Sequence, residues 1–290
     1  MEQFDERVTH LGIPQEISSV QDGLNLHSVM VQIGVKLHFA QDPLAMPHYR
    51  GEQKFGWDIT PGISRVVSKK ATVDEARQLE KRALEEFEME VTTKISKEAL
   101  RTLFYNEKHG KDWDLLFQGQ HAGIKTSLLD WTPEIRQGLF FATEESKVEY
   151  IENSDGQLWV FLARFNTIKS HNEFPVKDSF YEQDPSSLSE GYLINSTIFL
   201  DDLEHRLFES RMYKQKGRFY LSSKENFGIA MNKQKEVAPL LFRFIIPASY
   251  KAVIREELKE RGITREYLYV EENPAHQAIV DGVNQKIYSY

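Results

Sequence analysis

One segment limits the folds open to this chain more than any other: Gln120-His121-Ala122-Gly123-Ile124-Lys125-Thr126-Ser127-Leu128-Leu129-Asp130-Trp131-Thr132. It brings an imidazole, hydroxyls, a carboxylate and an indole close together, with the apolar pair Leu128-Leu129 in its middle. Gly123 lets the backbone turn or come close to a ligand. Thr126 to Leu129 reads as a short strand or extended segment. Thr132-Pro133-Glu134 reads as a helix start, with Thr at the N-cap, Pro at the first helical position and an acid in the first turn. An extended segment therefore runs into a helix N-terminus, with Asp130 just ahead of it. Backbone N–H groups at such an end are available to an anion.

Periodicity arranges the rest of the chain around that segment. Residues 1–17 read as a loosely tied terminus. Over 18–40, Leu26, Val29, Met30, Ile33 and Leu37 recur at helical spacing, interrupted by Gly34, and the Pro43 to Pro47 segment stops the helix. Tyr49 favours a strand, and Trp57 to Arg65 is a turn-rich connector. Thr72-Val73-Asp74-Glu75 is a capping box. The helix it starts carries Val73, Ala76, Leu79, Ala83, Leu84, Phe87 and Val91 on one stripe and charge on the other. A second helix is expected from Ser96, with Leu100, Leu103 and Phe104 inward. After Pro133, a helix buries Ile135, Leu139, Phe140 and Phe141. Asp155-Gly156 is a turn signal, and Gln157 to Phe165 is the strongest strand pattern in the chain. Residues 166–193 form a long polar loop, and 203–212 a short helix. Further strands are expected at Leu240 to Ile246 and Tyr267 to Val270. Ser249 to Arg261 is a helix closed by Gly262, and another begins near Pro274. Helices lead and strands follow, which predicts an α+β fold: a helical N-terminal portion, with a helical subregion over about 66–118, and a split, mostly antiparallel sheet. The expected organisation is one domain over 1–290, with its core at about 18–270.

Composition removes several kinds of chemistry. Hydrophobic residues make up 40% of the 290 and charged residues 28%, ordinary for a globular protein. The absence of cysteine excludes disulfides, zinc–thiolate centres, iron–sulfur clusters and a thiol nucleophile. Nine histidines are scattered without metal-ligand spacing, so no metal site is expected. A formal charge of −8 gives no general nucleic-acid footprint. No apolar run approaches the ~20 residues of a membrane helix. The polar start, Met1-Glu2-Gln3-Phe4-Asp5-Glu6-Arg7, does not resemble a signal peptide. A cytoplasmic protein is expected. The phosphate-loop, Gly-x-Gly-x-x-Gly, Gly-x-Ser-x-Gly and His-Glu-x-x-His signatures are all missing.

The candidate site residues each admit two roles. His121 is an acid, base or donor near neutral pH, or a structural histidine bonded to a carbonyl. Asp130 is a general base or ribose ligand, or it caps the amides ahead of the helix. The planar fork of Arg50 suits phosphate or carboxylate, or it pairs with Glu52. Gln215, before Gly217, orients a substrate through two hydrogen bonds or is an exposed loop residue. Arg211, Lys214, Lys216 and Arg218 form a basic cluster, for phosphate or for solvent.

Three of these stretches together resemble the FRG domain family, whose first motif is Phe-Arg-Gly. Here that motif is Tyr49-Arg50-Gly51, with Tyr in place of Phe, and Trp57, Pro61 and Arg65 follow at the family's spacing. The family's Gln-His-x-Gly run leading to Leu-Leu-Asp-Trp-Thr is complete from Gln120 to Thr132. Its later Arg-x-x-x-Gln-x-Gly-x-Phe element matches Arg211, Gln215, Gly217 and Phe219. Lys125-Thr126-Ser127 departs from the usual Pro-Thr-Arg, and the segment from Val270 to Pro274 is a looser fit. The motif order is similar to that of ADP-ribosyltransferases. That resemblance implies an ADP-ribosyltransferase-like fold with NAD as substrate, or a related nucleotide, and a macromolecular acceptor of unknown identity. It implies that Arg50, with Tyr49 and Arg211, holds the dinucleotide. Thr126 and Ser127 shape the nicotinamide pocket, which His121 lines, while His121, Asp130 and Gln215 take catalytic roles. A glutamine cannot supply the carboxylate that an oxocarbenium-like centre favours, which falls to Asp130, Glu225 or one of Glu271 and Glu272. An effector role in bacterial defence or toxicity goes with the resemblance. The alternative is a non-catalytic nucleotide sensor or protein-interaction module on the same fold.

Overall fold

Six consecutive apolar residues, Leu158-Trp159-Val160-Phe161-Leu162-Ala163, make a strand that is buried on both faces. This is β3 (Gly156–Arg164), the middle of a three-stranded antiparallel sheet. It lies between β1 (Ala45–Glu52) and β7 (Leu241–Ile246). The computed structural model describes residues 12–39, 45–67, 71–94, 111–164, 168–169, 192–195, 214–223, 225–269 and 274–288. The expected helices at 96–104 and 203–212, and most of the 166–193 loop, lie outside the described residues.

The chain packs as two compact units, each made of three separate segments. The first takes Met1–Asp58, Asp130–Ile168 and Asn232–Leu268. It holds the β1-β3-β7 sheet, α1 (Val20–Phe39), α5 (Ile135–Thr143), α6 (Glu149–Glu152), α7 (Ala248–Glu260) and α8 (Arg265–Leu268). In α5, Leu139, Phe140 and Ala142 are buried, and the helix packs on β1 and β3. A Cβ at Gly51 would lie 2.1 Å from the Gly138 carbonyl oxygen and 2.3 Å from the Ala142 nitrogen. Strand and helix backbones thus meet directly, and only glycine fits between them.

The second unit takes Ile59–Leu129, Lys169–Met231 and Tyr269–Tyr290. Its core joins three helices: α3 (Val73–Lys94), α4 (Lys111–Ala122) and α9 (Pro274–Tyr288). Leu84, Phe87, Leu116, Val280 and Val283 pack there with Phe219 and Leu221 of β6 (Arg218–Leu221). Burying one such large apolar side chain stabilises by roughly 1.5–3 kcal/mol. The short helix α2 (Gly62–Val66) precedes α3. A second sheet runs in the order β2-β6-β5-β4, with β2 at Leu128–Trp131, β5 at Tyr192–Asn195 and β4 at Ile168–Lys169.

Mixed helices and antiparallel strands make this an α+β fold. The capping box is present: the Thr72 N–H and hydroxyl donate to Glu75 Oε2, and the Glu75 N–H donates to Thr72 Oγ1. Four local expectations are corrected. Gly34 does not interrupt α1. Within 1–17, residues 15–17 are tied down, because the Ile17 N–H donates to the Ile245 carbonyl and the Ile245 N–H to that of Gln15. Tyr267 and Leu268 are helical rather than extended, since Leu268 is buried and Thr264 starts a helical turn. Thr132 is not the N-cap of α5; Glu134 is. Thr132 instead accepts the Glu134 N–H at 3.1 Å and donates to Gln137 Oε1 at 2.6 Å. Among the described residues, no helix is long and apolar enough to cross a membrane.

Candidate functional site

In the first unit, strand alternation fixes what β1 offers. Tyr49 and Gly51 face α5, so Arg50 and Glu52 share the opposite face of the sheet. Tyr49 is fully buried, and its hydroxyl lies 2.6 Å from His27 Nδ1. Burial first, then the charge of Glu134, pushes its phenol far above the ordinary range. Its backbone bridges Thr132 in both directions, at 2.6 and 2.9 Å. Tyr49 therefore ties α1, β1 and the end of β2 into the core.

Arg50 donates from Nε to Glu52 Oε1 at 2.7 Å and from Nη1 to the Asp130 carbonyl at 2.9 Å. Its side chain is 16% exposed. Burial alone would lower the guanidinium pKa, but the Glu52 and Asp130 charges outweigh it and hold the group above its ordinary value. The pairing with Glu52 that the sequence allowed is present, and a contact to the β2 backbone is added. Asp130 is exposed between buried Leu129 and buried Trp131, the latter tilted on Phe161 at 5.6 Å. The first unit thus brings Arg50 and Asp130 together.

The second unit holds His121, Thr126, Ser127 and Gln215. Here the Gln-His-x-Gly run ends α4. Gly123 sits at φ +107°, its N–H donates to the Gln120 carbonyl, and the Ile124 N–H donates to that of Gly119. That is a two-bond glycine cap, so Gly123 serves the turn. His121 is a buried residue in the last helical turn. After the cap, the hydroxyl of fully buried Thr126 donates to Gln120 Oε1 and accepts the Leu128 N–H at 3.2 Å. The Thr126 carbonyl accepts the Ile63 N–H at 2.9 Å. Ser127 donates its backbone N–H to Glu80 Oε1, and its buried hydroxyl has no hydrogen-bond partner among the described residues. From α9, Asn284 accepts the Lys125 N–H and donates to the Gly123 carbonyl, and Tyr288 donates to the Lys125 carbonyl at 2.9 Å.

Gln215 is half-buried and helical, and Lys216 follows at φ 47°. Arg218 donates to the Gly217 and Lys216 carbonyls. Phe219 stacks on Phe117 at 5.1 Å in the core of the unit. Arg211 lies outside the described residues. Glu80 and Asn284 were not foreseen. Glu80 had a legible signal: it stands among Ala76, Ala83 and Phe87 on the buried stripe of α3. Asn284 had none, being a polar residue about 160 positions from the turn it holds. Among the described residues, no three His, Asp or Glu side chains come together as a metal site.

Residues 46–150 match the FRG domain model, from the second residue of β1 into α6. The match contains Tyr49-Arg50-Gly51 and the whole Gln120–Thr132 segment, but not the Arg211–Phe219 element. No curated protein matches the chain, and no solved structure does.

Proposed function

With an FRG domain present in residues 46–150, we propose that this protein binds NAD and transfers ADP-ribose from it to a macromolecular acceptor. The observation that carries this is the pairing of Arg50 with the Asp130 segment. A cation suited to phosphate, on edge strand β1, bonds the backbone carbonyl of a residue whose carboxylate is exposed on β2. In the reaction, the bond from ribose C1′ to the nicotinamide nitrogen breaks, and its electron pair neutralises the pyridinium. The ribose becomes oxocarbenium-like, and a nearby carboxylate stabilises that charge. Asp130 supplies it, and takes the proton that the acceptor nucleophile gives up on forming its new bond to C1′. An effector role in bacterial defence or toxicity is supported by the family resemblance alone.

A second role, nucleotide binding without turnover, is favoured by a specific observation. Tyr49 and Thr126 already spend their hydroxyls inside the protein. Incubation with labelled NAD decides between the two. Nicotinamide release and label transfer, lost in folded Arg50→Ala, are the expected result. Unchanged turnover in that variant rules out the assignment of Arg50. Saturable binding with no release leaves the sensor.

A further inference from the structure

The register of the β1-β3-β7 sheet places Arg50 opposite Trp159 and Trp159 opposite Arg243. The three side chains form one row across three strands, on the face that α5 does not cover. Trp159 and Arg243 lie outside the matched FRG region. The two arginines of the row differ. Arg50 is held by Glu52 and the Asp130 carbonyl. Arg243 is half-buried, with its guanidinium carbon 4.3 Å from the Phe55 ring centroid and 5.5 Å from that of Trp159. No described residue makes a hydrogen bond or a salt bridge within 4.0 Å with it. The acid that feels its charge, Asp58, is otherwise engaged. Asp58 accepts from Asn232 Nδ2 at 2.9 Å and pairs with Lys233. Burial would raise the Asp58 carboxyl, but Asn232, Lys233 and Arg243 hold it below the usual carboxylate range.

Trp159 adds a second donor. The residue is 6% exposed, and its indole N–H is buried with no acceptor among the described residues. A buried donor without a partner is costly, and native proteins keep few of them. Five guanidinium donors on a group that lies over the Phe55 and Trp159 rings, with an orphan N–H on that same tryptophan, call for an acceptor-rich anion. Trp57, two residues after Phe55 in the chain, is 36% exposed and offers a flat face of the kind on which a base stacks.

We propose that Arg243, flanked by Phe55 and Trp159, binds a phosphate of a diphosphate-bearing nucleotide, with the Trp159 indole N–H as a second donor. The choice of nucleotide over free phosphate rests on the NAD assignment above; the anion site does not.

Calorimetry on the full chain with inorganic pyrophosphate, ADP-ribose and NAD tests it. Pyrophosphate and ADP-ribose are both expected to bind, ADP-ribose more tightly. Arg243→Lys keeps the charge and loses the fork, and should weaken both by about 10-fold or more. Trp159→Phe keeps an aromatic ring, deletes the N–H donor and shortens the buried ring system, and should weaken both by about 5-fold. No binding by the native chain, or equal affinities in the native chain and Trp159→Phe, overturns the site. Pyrophosphate binding as tightly as ADP-ribose overturns the nucleotide. If Arg243→Lys fails to fold, Trp159→Phe decides alone. Binding through Arg243 without nicotinamide release removes the transferase and keeps the anion site. Nicotinamide release with ADP-ribose affinity unchanged in both variants does the reverse.

Discussion

On β1, the residue with the strongest chemistry, Arg50, stands on a sheet face, while its neighbours Tyr49 and Gly51 make the strand fit against α5. At the Gln120–Ser127 turn the division is different. Thr126 and Gln120 bond each other, Glu80 takes the Ser127 amide, and Gly123 closes the helix. Both stretches look reactive as strings of letters. In one, the backbone is fixed by shape, and the ionic side chain of Arg50 is tied on the other face of the sheet to Glu52 and the Asp130 carbonyl. In the other, the backbone is fixed by the polar side chains themselves, so few are left over. A motif rich in hydroxyls, amides and glycine is as well suited to holding a turn as to holding a substrate.

That contrast breaks first at Gly51. An alanine there drives a Cβ into backbone atoms of Gly138 and Ala142, which cannot rotate away as a side chain can. Gly51→Ala should cost about 3 kcal/mol or more, read as a shifted denaturation midpoint. A change near zero would show that α5 does not press on β1. The turn is next. Glu80 is 1% exposed and accepts the Ser127 N–H, so Glu80→Ala leaves a buried donor unpaired. The expected loss is about 1–3 kcal/mol, with the Gly51 region unaffected. If Glu80→Ala is neutral, the turn is not held by its polar contacts.

The smallest effect is at the start of α1. The Asp22 carboxylate accepts from the Ser18 N–H and hydroxyl at 3.0 and 2.7 Å, and its own N–H donates to Ser19 Oγ. Burial would raise its pKa, but the Ser18 and Ser19 bonds win and hold it below the ordinary value of 3.8. A lowered folded pKa means stability that is present above the unfolded value and lost as pH falls through the folded one. Asp22→Asn should therefore flatten the acid limb of the stability–pH curve below about pH 4, with a smaller loss at neutral pH than either core variant. An acid limb identical to the native one would place that titration elsewhere.

Local signals carried much of this fold. The capping box at Thr72, the apolar run of β3, Pro247 ahead of α7 and Gly262 after it are each set by a few neighbouring residues. Longer-range features were not legible. The β1–β3 register joins residues more than 100 positions apart, so the Arg50-Trp159-Arg243 row cannot be read from any one window. At Tyr267, Tyr and Val favour a strand in isolation, whereas buried Leu268 and the Thr264 carbonyl settle a helical turn there. Thr132-Pro133 carried a sound cap signal, and the Thr132 oxygen does accept the Glu134 N–H, but the helix begins after Glu134 rather than after Thr132.

Amide hydrogen exchange with and without saturating ADP-ribose asks most directly which of the two stretches meets a ligand. The sheet face predicts slower exchange in peptides covering β1 to Asp58, the middle of β3 and Arg243, with residues 119–128 unchanged. Protection centred on residues 119–128, with none on the sheet face, would contradict it and return the chemistry to the turn.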